Sequence, residues 1–413
     1  MQLRYRYRLY PGASQEAALA KAFGSCRVVF NDVIELRDKA FAEGRPWVND
    51  AEVSRRVVTE AKRRPERAWL AETSAVALQQ AVRDANKAYR HYFAARTGKR
   101  ARGPVGKPRF KSRRDRRQAI RFTRNARFKI TAAGRLRLPG IGEVSVVWSR
   151  DLPSAPSSVT VVREASGRYF ASFVCETRDD PLPDTGRAIG LDLGLASFVT
   201  GSDGSKTAAP QYCRRAERKL AKANRNLARK RPGSANREKA RRAVAVAHSR
   251  VADARTDFLH RLSSKIIGEN QVVVIEDLCV KALARTRLAK SVHDAGWARF
   301  TAMLEYKAAR RGRELVKTDR FLPSTRTCAS CRAVGDRKPL HVRSWTCNHC
   351  GVLHDRDVNA AKVILAAGLA ERENAYGAEE DLLAPPRDQA FAQSQARHPV
   401  GDWAEVGITT AAR

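Results

Sequence analysis

The chain has 413 residues, 43% of them hydrophobic, which is enough for about two to four domains with buried cores and too much for wholesale disorder. Lys and Arg number 79 against 43 Asp and Glu, and this formal net charge of +36 is spread over most of the length, so a polyanion is the expected partner. A membrane surface is the rival polyanion. However, no apolar run approaches the roughly 20 residues of a spanning helix, and Met1 to Tyr10 interleaves Arg with Tyr and Leu instead of forming the apolar centre of a signal peptide. The expectation is a soluble cytoplasmic protein with no membrane partner.

In chain order, Leu3, Tyr5, Tyr7 and Leu9 alternate with Arg4, Arg6 and Arg8, the period-2 pattern of a half-buried strand with one cationic face. From Ser14, read as an N-cap, Leu19, Phe23, Cys26, Phe30 and Val33 recur at helical spacing to about Arg37, and Leu78, Val82, Ala85, Tyr89 and Tyr92 mark a second helix. Gly98 to Lys111 is too rich in Gly and Pro for a regular element and too cationic for a core, and reads as a phosphate-facing linker. Strands are predicted at 119–122, 127–130, 135–138, 144–148, 158–163 and 169–175, so a helical insertion interrupts a β-rich domain. Asp179 to Asp184, with two prolines, is a linker.

Beyond it, 188–193 and 197–200 read as short strands, and 214–267 as two basic helices broken at Pro232-Gly233. Val272 to Ile275 reads as a central strand, 297–311 as a helix and 315–319 as a strand. Alternating strands and helices predict an α/β core with a mixed sheet. The stretch 371–413 lacks periodicity and is expected to be disordered.

Two constellations can carry chemistry. Cys328-x2-Cys331 is followed after 15 residues by Cys347-x2-Cys350, the spacing of a zinc ribbon in which four thiolates close a tetrahedral, structural site. Gly351 follows the second knuckle but Arg332 follows the first, where a Gly would ease the turn. His349 is a bystander within the second knuckle. The other four cysteines, Cys26, Cys175, Cys213 and Cys279, are scattered singly.

The second constellation is of acids at the ends of apolar runs: Asp192 after Ala188-Ile189-Gly190-Leu191, Glu276 after Val272-Val273-Val274-Ile275, and Asp357 in His354-Asp355-Arg356-Asp357-Val358-Asn359-Ala360-Ala361. Acids against buried runs are costly unless paired or metal-bound. Singly, each is adequately explained as a solvated or Arg-paired strand end. Together they offer hard oxygen ligands for Mg²⁺ and for a two-metal attack on a phosphodiester.

Gly204-Ser205-Lys206-Thr207 lacks the Gly that a P-loop needs before its Lys, so an NTPase is excluded. The run through Arg214, Arg215, Arg218, Lys219, Lys222, Arg225, Arg229 and Lys230 is offset only by Glu217, and a self-repelling helix of this kind favours nucleic-acid contact over a merely solvated face. Tyr89, Tyr92 and Phe93 could stack on bases, but their helical spacing favours core packing.

Taken in order, these residues resemble the TnpB (OrfB) family of transposon-encoded proteins, relatives of type V CRISPR effectors. The likeness rests on Gly190-Leu191-Asp192-Leu193-Gly194, Val274-Ile275-Glu276-Asp277-Leu278, Phe321 to Cys328 leading into the ribbon, and His354 to Ala361 directly after it. Upstream, Gly106-Lys107-Pro108-Arg109-Phe110-Lys111 resembles the family's basic segment, and Gln15 to Phe41 the start of its recognition insertion.

The resemblance implies a β-barrel-like wedge domain (1–13 and 103–180) carrying a helical recognition insertion (14–102). It further implies a RuvC-like, RNase H-type nuclease core (187–326 and 353–370) interrupted by the zinc ribbon (327–352). Asp192, Glu276 and Asp357 would be the catalytic Mg²⁺ ligands. Asp355 competes with Asp357 for the third role, but the two lie about 200° apart on a helix, and the family pattern places the ligand at the second Asp. The implied partners are a guide RNA from the transposon end and a target DNA, contacted by Lys107, Arg109, Lys111, Arg215, Lys219 and Lys222 among others. The cell is then prokaryotic, and the protein nucleoid-associated when bound to DNA. The implied activity is RNA-guided, Mg²⁺-dependent DNA cleavage; a strand-joining transposase, a non-cleaving guided repressor and a ribosome-associated RNA-binding protein are the alternatives.

Overall fold

The computed structural model describes residues 1–100, 103–339 and 341–383. The period-2 pattern at the start forms β1 (Gln2–Tyr10), which buries Tyr5, Tyr7 and Leu9 and leaves Arg4 and Arg6 exposed. After it come α1 (Ala13–Ala42), α2 (Asp50–Ser54), a run of π and 3-10 turns over 55–72, and α3 (Ala75–Arg96). The cap of α1 is Gly12 rather than Ser14, with Gln15 Oε1 accepting from the Gly12 N–H at 3.0 Å.

The strands that follow are β2 (Gln118–Thr123), β3 (Lys129–Ile130), β4 (Leu136–Leu138), β5 (Gly142–Val147), β6 (Ser158–Arg163) and β7 (Tyr169–Glu176). β3 is shorter than its sequence pattern suggested because Arg127 takes a left-handed conformation, φ 58°, at the end of a 3-10 turn.

With β1 these strands form a seven-stranded antiparallel sheet in the order β2-β6-β7-β1-β5-β4-β3. Because β1 lies inside the sheet, the helices between β1 and β2 interrupt the sheet along the chain. They share its core: Leu19, Phe23, Val33, Leu78 and Val82 pack in one cluster with Tyr7, Ile120, Phe122 and Phe173.

The second half holds β8 (Ala188–Asp192), β9 (Ser197–Gly201), β10 (Lys206–Ala208), α4 (Tyr212–Arg215), α5 (Glu217–Ala228), α6 (Ala235–Glu269) and β11 (Val272–Glu276). Then follow α7 (Val280–Leu283), α8 (Ala289–Ala295), α9 (Trp297–Arg311), β12 (Glu314–Thr318), β13 (Ser344–Thr346), β14 (Leu353–Asp355) and α10 (Arg356–Leu383). The sheet order is β10-β9-β8-β11-β12, with β8, β11 and β12 parallel and β9 and β10 antiparallel, the expected mixed sheet. Gly204-Ser205-Lys206 belongs to the β9–β10 hairpin, which confirms that it is no phosphate loop.

Each face of β11 is buried by a different layer. Val273 and Ile275 meet Leu259, Ile266, Phe300 and Leu304 from α6 and α9, whereas Val272 and Val274 meet Ile364 of α10. This two-sided burial explains a run of β-branched residues without alternation.

Helix α10 comes unusually close to the sheet. A Cβ on Gly190 would lie 2.2 Å from the Ala361 carbonyl oxygen and 2.7 Å from Leu365 Cβ, and one on Gly368 would lie 2.3 Å from Val274 Cγ1. α10 also continues to Leu383, which corrects the expected disorder from Glu371. The stretch after Glu371 is dominated by helix formers, its first proline is Pro385, and Arg372 pairs with Glu314 at 2.8 Å. The rest of the expected tail, 384–413, lies outside the described residues.

Gly190→Ala should therefore destabilise the protein by on the order of 2–3 kcal/mol, because backbone rather than a flexible side chain has to yield. Gly268→Ala, on α6 with nothing within 4 Å of the added carbon, should be neutral or stabilising. Urea unfolding of the two variants checks this, and equal midpoints would contradict the close-approach argument.

Candidate metal and nucleic-acid sites

β8 and β11 are adjacent and parallel, with Leu191 opposite Ile275, so Asp192 and Glu276 emerge at the same carboxyl edge of the sheet. α10, packed against both strands, brings Asp357 in its first turn to that edge. Burial pushes Asp192 up to about 7, and the negative charges of Asp357 and then Glu276 add to the shift against Arg356. Glu276 is raised as well, chiefly by burial and then by Asp277.

The three acids are not in tight contact: among the described residues, the four cysteines alone form a group of three or more ligand atoms all within 4.8 Å of one another. Asp192 and Glu276 are desolvated hard oxygen donors, and Asp192 also feels the charges of Asp357 and Glu276, which is the chemistry that a divalent cation relieves. Asp355 has a different task. Its Oδ1 accepts from the N–H groups of Asp357 (3.1 Å) and Val358 (3.0 Å), capping α10, and its Oδ2 pairs with Lys206 at 2.7 Å. Arg343, which the sequence reading passed over, places Nη1 3.6 Å from Asp357 Oδ1.

The cysteines meet as their spacing predicted. Sγ–Sγ separations are 3.7 Å for Cys328–Cys350 and for Cys331–Cys347. A tetrahedron with Zn–S near 2.3 Å has edges of about 3.8 Å, so the donor set fits zinc. The knuckles repeat one geometry. The N–H of Arg332 donates to the Cys328 carbonyl (3.0 Å) and that of Gly351 to the Cys347 carbonyl (2.9 Å), with φ of 64° and 70° respectively. Arg332 thus occupies the left-handed position where a glycine was expected. His349 is exposed and stands outside the cluster.

Two further residues tie this cluster to α10. His354 Nε2 lies 3.1 Å from Cys328 Sγ, and the buried Asn359 donates Nδ2–H to the Thr327 carbonyl (2.7 Å) while its Oδ1 accepts from the Ala329 N–H (2.9 Å). Asn359 therefore grips both neighbours of Cys328 from two residues beyond Asp357. Neither contact was anticipated, although both residues lie in the motif 354–361.

The basic residues divide. Arg215, Lys219 and Lys222 are exposed on α4 and α5, and the one acid among them, Glu217, is held by Lys290 at 2.6 Å, so the run is not neutralised from within. Arg109 is exposed. Lys107 is paired with Asp38 at 2.9 Å, and Lys111 rests its Nζ 3.7 Å from the Phe30 ring centre, with its ammonium pKa lowered chiefly by burial. These last two tie the linker to α1 while both residues remain exposed.

Comparison with known proteins identifies this class of architecture. The fold resembles that of the Cas12f1 protein in a Cas12f1–sgRNA–target DNA complex, with a TM-score of 0.51 at 14% identity over 85% of this chain and 82% of that one. A family model described as "Probable transposase" (OrfB of IS605) matches residues 172–287, and one described as "Cas12f1-like, TNB domain" matches 297–364. A "Helix-turn-helix domain" model matches 1–46, which here is one strand and one 30-residue helix.

A Streptomyces pristinaespiralis protein named "Putative RNA-guided DNA endonuclease" is 45% identical over 370 residues, 89% of each chain. InsQ of Escherichia coli (strain K12), under the same designation, is 28% identical over 383 residues, 89% of this chain and 92% of its own. The chain belongs to the OrfB (TnpB) family.

Two outcomes follow from this geometry. Between about pH 4, where an unfolded Asp has ionised, and about 7, where folded Asp192 ionises, the folded state holds the extra proton, so this group's contribution to stability falls as pH rises. In Mg²⁺-free buffer, the melting temperature should drop from about pH 5 to about pH 8 more in the wild type than in Asp192→Asn; parallel profiles would contradict the assignment. Arg332→Gly should stabilise the protein by about 1 kcal/mol by removing left-handed strain, which melting of the zinc-loaded protein measures.

Proposed function

We propose that this chain is an RNA-guided DNA endonuclease encoded by a transposable element, with Asp192, Glu276 and Asp357 as its catalytic carboxylates. The observation that carries the reading is Asp192, half-buried at a strand end, where desolvation and then two further acids raise its pKa. Such a set is unfavourable for stability and is explained by the cations it would hold.

On this reading the mixed sheet with α6, α9 and α10 is a RuvC-like, RNase H-type core, residues 187–326 and 353–370, and the cysteine-bearing segment 327–352 is a structural zinc ribbon. The first seven-stranded sheet is a wedge domain, and residues 14–102 are its recognition insertion. Closed by four thiolates, the zinc has no open position and holds the fold rather than reacting. Asp192, Glu276 and Asp357 would hold magnesium, which would supply Lewis-acid stabilisation to a phosphodiester and its attacking water.

The chain's own residues do the rest. Asp192, Glu276 and Asp357 present oxygen donors to the metal. Asp355 fixes the first turn of α10, which sets the direction of Asp357. Asn359 and His354 hold that turn against the ribbon, so that zinc loading and the position of Asp357 are mechanically linked. Arg343 balances part of the negative charge at Asp357. Arg109, Arg215, Lys219 and Lys222 offer the sequence-blind phosphate contacts needed by a protein that delegates sequence reading to a guide RNA derived from the transposon end.

A non-cleaving repressor would not need three acids gathered at one edge of the sheet. A strand-joining transposase would need them too, and differs in its products. The test is to co-express the protein with its flanking DNA, sequence the bound RNA and assay matched linear and supercoiled DNA with and without Mg²⁺. Guided cleavage without strand-transfer products is expected, and joined strands would overturn the reading. Asp192→Ala, Glu276→Ala and Asp357→Ala should each lower cleavage by roughly 10²–10³ or more while RNA and DNA binding persist. Retained cutting by any of them removes that residue from the centre.

A further inference from the structure

The helical insertion presents an aromatic cluster that the core uses only in part. Tyr89 is 2% exposed, as its helical spacing suggested, but Phe93, one turn further along α3, is 45% exposed, and Trp47, in the segment between α1 and α2, is 52% exposed. Large aromatic rings left half in water forgo much of their burial free energy.

Trp47 is nonetheless firmly placed. The Arg37 guanidinium lies 3.7 Å from its ring centre, and Arg37 is itself buried and donates to Asp50 Oδ1 and Asn86 Oδ1, both at 2.8 Å. Tyr89 and Phe93 meet the indole nearly perpendicularly, with ring centres at 5.4 and 5.5 Å. The ordering cost of the ring is thus already met within the protein, the condition under which an exposed aromatic gains most from a ligand.

The surroundings indicate which ligand. Asp38 accepts from the Tyr89 hydroxyl at 3.0 Å and from Lys107 Nζ at 2.9 Å, which brings the basic linker alongside the cluster, and Arg96 donates to the Tyr92 hydroxyl at 3.1 Å beside Phe93. A flat π surface bordered by cations, on a protein of net charge +36, is complementary to a nucleobase on its phosphate backbone rather than to an apolar protein face.

We infer that Trp47, supported by Arg37, Tyr89 and Phe93, is a stacking platform for one nucleobase, unpaired or at the end of a duplex, in the guide RNA or the target DNA. This rests on the nucleic-acid reading proposed above, and it adds a site at which a base, not only phosphate, is held.

The experiment uses full-length protein co-purified with its RNA, as wild type and as Trp47→Ala, Trp47→Leu and Trp47→Phe. RNA affinity is measured first, target DNA affinity of the RNA-loaded complex second, and each state is photo-crosslinked and mapped by mass spectrometry. The expected result is a crosslink from the peptide carrying Trp47 to a single nucleotide, of RNA or of DNA according to the state in which it forms. The alanine and leucine variants should lose affinity for that strand by roughly 5- to 150-fold, the equivalent of about 1–3 kcal/mol per stacked base, while phenylalanine keeps most of it, with the leucine and phenylalanine variants melting alike so that their difference is one of binding.

The inference is overturned if leucine binds like wild type, since apolar bulk alone would then suffice. It is equally overturned if no variant changes either affinity, or if Trp47 crosslinks to a protein instead. Wild type that binds and cuts under guidance while Trp47→Ala is unaltered would sink the platform and leave the proposed function standing. Wild type with no bound RNA and no guided cutting would sink the function itself.

Discussion

The arrangement depends on a bare stretch of backbone. α10 can lie on β8 and β11 only because Gly190 and Gly368 offer no side chain where the helix and the strands come together. That proximity fixes where the first turn of α10 falls, and so how near an acid at residue 357 comes to acids at the ends of two strands more than eighty positions upstream. Had either glycine carried a methyl group, the helix would have to lift, and the electrostatic coupling that raises Asp192 would weaken with distance.

The cysteine cluster adds a second constraint on the same turn. Asn359 bonds to the backbone on both sides of Cys328, and His354 touches that sulfur, so the ribbon is fastened to the helix start rather than hung from a flexible loop. Asp355 caps the helix from the strand side through two backbone N–H groups and is in turn fixed by Lys206. One helical turn is held by the sheet, the ribbon and its own cap together. This explains why polar residues crowd the segment 354–359, and why several of them cannot be ligands of anything.

Features that depend on local chemistry could be read from the sequence. Four thiols at knuckle spacing have few other uses, and a carboxylate ending a four-residue β-branched run is anomalous wherever it occurs. The mixed sheet followed from the same runs. Features set by tertiary contact could not be read this way. Gly190 looks like any glycine before a strand end until a helix is placed over it. Tyr89 and Phe93 share one helical face and one spacing, yet only the first is buried, because α3 runs on past the edge of the core. Lys107 and Lys111 are cations in a basic linker by composition, but Asp38 and the Phe30 ring had to be in place before either could be seen to serve as an anchor. The left-handed Arg332 lies between the two cases: the missing glycine was visible, whereas the fact that the chain keeps the turn regardless was not.

The charge distribution makes the final link between fold and chemistry. A chain with 36 excess positive charges draws a polyanion toward itself at long range, but the carboxyl edge of the mixed sheet is locally acidic and would repel the phosphate that chemistry must reach. Exposed cations on α4 and α5 can bind backbone without help; the acid cluster cannot. On the proposed function, a cation bound at Asp192, Glu276 and Asp357 would offset that negative charge and so admit phosphate to this edge. The same burial that makes Asp192 expensive to ionise makes it a strong ligand once a divalent ion compensates its charge. On the proposed function, affinity for nucleic acid and competence to cut it would be carried by separate sets of residues, and the first would not imply the second.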